Sequence, residues 1–90
     1  MILQIYSVYD KAVGAYLQPF YARSRGEAIR SFMDACNNEK HQFATSPADY
    51  QLMYLGLWDD DSGLFSLGNN TGPESVISAL EATSDRSQRQ

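Results

Sequence analysis

The sequence predicts a small α+β domain, and three observations carry that prediction. Ile2 to Tyr9 and Tyr50 to Trp58 are rich in β-branched and aromatic residues, the composition of a pleated, half-buried strand. Ser24-Arg25-Gly26-Glu27 is a capping box, and apolar residues at helical spacing follow it. The chain has 90 residues and no internal repeat, so it holds one core near the size below which a core is hard to fill. The domain is expected over residues 1–68, with 69–90 a C-terminal appendage, partly helical and then disordered.

Each element has a local cause. In the first strand Leu3, Ile5, Ser7 and Tyr9 share one face and Ile2, Gln4, Tyr6 and Val8 the other. Apolar groups on both faces place it centrally. A turn over Asp10 to Gly14 leads into a second strand, Ala15 to Ala22, closing an antiparallel hairpin. Pro19 has no N–H for a ladder, which puts this strand at a sheet edge or gives it a bulge. A helix then starts at Arg25. Ala28, Ile29, Phe32, Met33, Ala35 and Cys36 form its apolar side, and Glu27, Arg30, Ser31, Asp34 and Asn37 its wet side. Arg30 and Asp34 stand four apart and are placed to pair, and Asn37-Asn38 reads as a left-handed stop.

Asn38 to Thr45 reads as a loop, and Ser46-Pro47-Ala48-Asp49 as one helical turn leading into the third strand, Tyr50 to Trp58, with a bulge at Gly56. Asp59 to Gly63 turns the chain into a short fourth strand, Leu64 to Leu67. Gly68 to Pro73 is a linker, Pro73 to Ala82 a weak helix with Val76, Ile77 and Leu80 on one side, and Thr83 to Gln90 a polar, frayed end. The order is β-β-α-β-β: a four-stranded antiparallel or mixed sheet with one helix on one face. The opposite face has no evident cover, and its aromatics make it a candidate surface for a partner or a second copy.

Composition narrows the function classes. Apolar residues at 43% and aromatics at 12% imply a folded core. One cysteine, Cys36, excludes an internal disulfide or a cysteine-based metal cluster and suits a reducing compartment. No apolar run reaches the ~20 residues of a membrane span, and no secretory leader is evident, so the cytoplasm is the expected location. His41 is a lone loop histidine with no nucleophile or carboxylate arrangement beside it. The aspartates at 59–61 do not continue as a calcium loop, because Leu64 and Asn70 stand where Gly and Glu are needed. No catalytic group, metal site or cofactor is expected, and the protein is read as a non-enzyme. The net charge is −4, but residues 1–41 carry five cationic and four acidic side chains against two and seven in residues 42–90. An acidic whole argues against nonspecific phosphate binding, while this asymmetry leaves room for a local basic patch.

Several short motifs, in order, carry a resemblance. Ile5-Tyr6-Ser7-Val8-Tyr9-Asp10-Lys11-Ala12, Pro19-Phe20, Gly26-Glu27-Ala28-Ile29-Arg30-Ser31-Phe32 with Asp34, Pro47-Ala48-Asp49-Tyr50 with Leu52, Leu55-Gly56, Asp59-Asp60 and Ser62-Gly63 make the chain resemble the small nonstructural protein of microviruses, the tail-less single-stranded DNA phages, in particular the gokushovirus group. The resemblance runs from about residue 5 to 67. It implies a DNA-binding protein that aids viral genome synthesis in the cytoplasm of a bacterial host and stays out of the mature capsid. It transfers no binding or catalytic residues.

Two readings follow. In the first, the chain is a nonenzymatic binder of single-stranded DNA, which such proteins hold with cationic groups along the backbone and aromatic rings under the bases; Lys11, Arg23, Arg25 and Arg30 with Tyr16 and Tyr21 are its candidate residues. In the second, it is an interaction module, a homodimer or an adaptor for phage or host replication or assembly proteins, acting through the edge strand and the open sheet face.

Overall fold

The computed structural model describes residues 1–68 and 71–88 and shows an α+β fold: an antiparallel sheet of six strands with three α-helices. The spine is a long hairpin-like pair, β1 (Ile2–Asp10) against β4 (Tyr50–Asp59). Each outer edge of this pair is taken by two short strands. β2 (Ala15–Tyr16) and β3 (Phe20–Ala22) lie along β1, and β5 (Phe65–Ser66) and β6 (Glu74–Ser78) lie along β4. The expected second strand is thus split around Leu17-Gln18-Pro19, where proline removes a ladder donor. The bulge expected at Gly56 lies one residue earlier: Ile5 faces Gly56 and Tyr6 faces Tyr54, leaving Leu55 as the extra residue.

Helix α1 (Arg25–Cys36) starts where the capping box puts it. Ser24 Oγ accepts from the Glu27 N–H at 3.2 Å, while the Glu27 carboxylate reaches back one residue further than expected, to the Arg23 N–H. Asn37 ends the helix in a right-handed conformation (φ −89°), so the expected left-handed stop is corrected. The Asn37 N–H donates to the Met33 carbonyl at 2.9 Å and the Asn38 N–H to the Ala35 carbonyl at 3.2 Å, so carbonyls of the last turn are satisfied without a left-handed residue. Arg30 and Asp34 form no ion pair with each other. Residues 42–45, expected as loop, form a short helix α2 (Gln42–Thr45) capped by His41, whose Nδ1 accepts from the Phe43 N–H at 3.1 Å. A 3₁₀ turn, Pro47–Asp49, then leads into β4.

The larger correction lies after the linker. Glu74–Ser78 is a strand, not helix, and α3 (Ala79–Gln88) begins only at Ala79. β6 pairs with the half of β4 that β5 leaves open, from Gln51↔Ser78 to Tyr54↔Glu74, and this unfilled edge outweighs the helical spacing of Val76, Ile77 and Leu80. Ser78 caps α3 through its hydroxyl, which accepts from the Glu81 N–H at 3.0 Å. Residues 74–82 therefore belong to the sheet and core rather than to an appendage, and helix continues through the segment expected to fray as far as Gln88; the last two residues of the predicted tail lie outside the described residues.

All three helices lie on one face of the sheet. Tyr6 and Val8 of β1, Ala22 of β3, and Tyr50 and Leu52 of β4 meet Ala28, Phe32 and Cys36 of α1, Phe43 of α2, and Ala79 and Ala82 of α3. Phe43 sits at the centre of a ring cluster, 5.4 Å from Phe32 and 4.7 Å from Tyr50 between ring centroids. Burying Leu52 completely contributes about 2 kcal/mol from apolar transfer alone. The other face of the sheet carries no helix.

Candidate nucleic-acid interface

Strand alternation decides what the open face presents. Tyr6, Phe20 and Ala22 point to the helices, so Ile5, Leu3 and Tyr21 point away, and register places Trp58 opposite Leu3 and Phe65 opposite Trp58. The result is a diagonal aromatic row. Tyr21 on β3 lies 5.4 Å from Trp58 on β4, and Trp58 lies 6.2 Å from Phe65 on β5, both pairs tilted. Tyr21 and Phe65 keep 47% and 66% of their surface exposed. Beside the row runs an open groove of about 480 Å³, lined by Ile5, Pro19, Tyr21, Leu55, Phe65 and Leu67.

The backbone is built for that groove. Leu55 reaches it because it is the bulged residue, and Pro19 because it interrupts the edge strand. Gly56 lets β5 come close: a side chain there would collide with the Ser66 carbonyl oxygen. A second aromatic pair, Tyr9 and Tyr16 at 4.9 Å, sits toward the far end of β1 beside Lys11.

The structure separates the predicted site residues. Tyr16 and Tyr21 lie on the open face, and Lys11 is exposed in the turn after β1. Arg23 follows the last residue of β3, and its Nε pairs with Glu27 Oε2 of α1 at 3.5 Å. Arg25 goes to the helix side. Its guanidinium pairs with Glu74 at 3.1 Å and stands over the Tyr54 ring at 5.9 Å, tying α1 to β6. Arg30 is exposed on α1, beside Gly26, Ile29 and Met33. Arginines 23 and 25 are thus matched by carboxylates, and the aromatic platform rather than a basic patch is the prominent feature. Trp58 and Phe65, which complete it, were not among the predicted site residues. Their signal was their placement on either side of the Asp59 to Gly63 turn, where hairpin pairing sets them face to face.

That turn is anionic. The Asp61 N–H donates to Asp59 Oδ1 at 2.9 Å and holds the Asp59 carboxyl below the usual carboxylate range, with the Ser62 hydroxyl and the chain's amino group acting in the same direction against partial desolvation. Asp60 takes the Met1 amino group at 2.7 Å and raises the pKa of that amine. Among the described residues, no three His, Cys, Asp or Glu side chains group in a way that could hold a metal ion, and no helix is long and apolar enough to cross a membrane.

A family model described as phage ORF5 protein matches residues 3–82. The chain belongs to the phage ORF5 protein family. No curated protein and no solved structure matches it. The span shared with the phage ORF5 family ends at Ala82, a fully buried residue of α3, so it takes in β6 and every element that builds the aromatic face.

Proposed function

We propose that this phage protein is a nonenzymatic accessory factor that binds single-stranded DNA on its open sheet face during viral genome synthesis, in the cytoplasm of the host bacterium. The observation that carries this reading is the Tyr21–Trp58–Phe65 row, with both end rings exposed and Trp58 half-buried between them, on a sheet whose other face is filled by helices. Single strands are held without sequence readout when bases stack on such rings, at about 1–3 kcal/mol per base. The resemblance to the nonstructural protein of microviruses points the same way.

The charge distribution sets how the binding behaves. With a net charge of −4 and Arg23 and Arg25 paired with carboxylates, few cations are left for phosphate beside the open face: Lys11 stands in the turn after β1, while Arg30 lies on α1, on the other side of the sheet. Stacking then supplies most of the affinity, and the dependence on salt is shallow, about one to two phosphates at a slope of roughly −0.7 each.

Trp58 is the only tryptophan and lies in the row, so its fluorescence reports directly. Titration with oligothymidylate at low salt is expected to quench it. Phe65→Ala and Tyr21→Ala are each expected to weaken binding by roughly 5- to 100-fold with the fold intact by circular dichroism. Absence of quenching at low salt, or binding unchanged in both variants, refutes the reading.

A further inference from the structure

We draw no further inference here: the strongest candidate, the apolar groove beside the aromatic row on the open sheet face, belongs to the site already described, and with Arg23 paired to Glu27 and Asp60 to the Met1 amine nothing in the structure shows what else covers it.

Discussion

Gly56 tests the geometry of the open face most sharply, because three glycines of this chain offer a graded comparison. At Gly72 the backbone φ is ordinary and an added Cβ meets nothing within 4 Å, so Gly72→Ala should change stability by less than about 0.5 kcal/mol. At Gly63, in the turn before β5, there is also open space, but φ is +77°, and Gly63→Ala should cost about 1 kcal/mol for the left-handed conformation alone. Gly56 combines both penalties. Its φ is +156°, and the Cβ would run into the Ser66 carbonyl oxygen, which is backbone and cannot swing aside. Relief requires β5 to move away, which breaks the Leu57↔Ser66 and Trp58↔Phe65 pairing and takes Phe65 off Trp58. Strain of about 1–3 kcal/mol from the backbone and a similar overpacking term put Gly56→Ala at about 2–6 kcal/mol. For a chain of this size that lowers Tm by at least roughly 10 °C. Thermal and urea melts of the three variants measure the series, and the fluorescence of Trp58 reports the loss of its neighbour. Equal effects at all three positions, or a neutral Gly56→Ala, would refute the close approach of β5 and with it the shape of the groove.

Two further outcomes are expected from local chemistry. Ser24→Ala removes the acceptor for the Glu27 N–H at the start of α1 and should cost about 1 kcal/mol in urea unfolding, recovered largely by Ser24→Asp. Burial raises the Tyr6 and Tyr50 phenols above their ordinary value, so their neutral forms are favoured in the folded state. The stability they contribute is fully present below about pH 10 and is lost as pH rises through the raised values. An ultraviolet titration should then show a late component that coincides with unfolding and shrinks in Tyr6→Phe.

The helix start, the central strand, the proline-broken edge and the turn at Gly63 were legible in the sequence, because each depends on a residue's own chemistry or on contacts within a few residues. The Ser24 hydroxyl needs only the amide three positions on, Pro19 lacks its own N–H, and Gly63 alone accepts its own φ. Strand β6 was hidden for the opposite reason. Val76, Ile77 and Leu80 satisfy a helical period, and what makes Glu74–Ser78 extended is the vacant half of the β4 edge, more than twenty residues earlier in the chain. Arg23 and Arg25 were likewise legible as charges and not as pairs: local spacing puts Glu27 four residues after Arg23, but only the folded sheet carries Glu74 to Arg25 across 49 positions. Trp58 and Phe65 were visible as aromatics, and the sheet alone set them in a row with Tyr21, because strand register is a property of paired chains and cannot be read from one segment. What the sequence determined by itself is therefore where the chain turns, caps and alternates; what the tertiary structure decided is which charges are spent on each other and which rings are left facing outward.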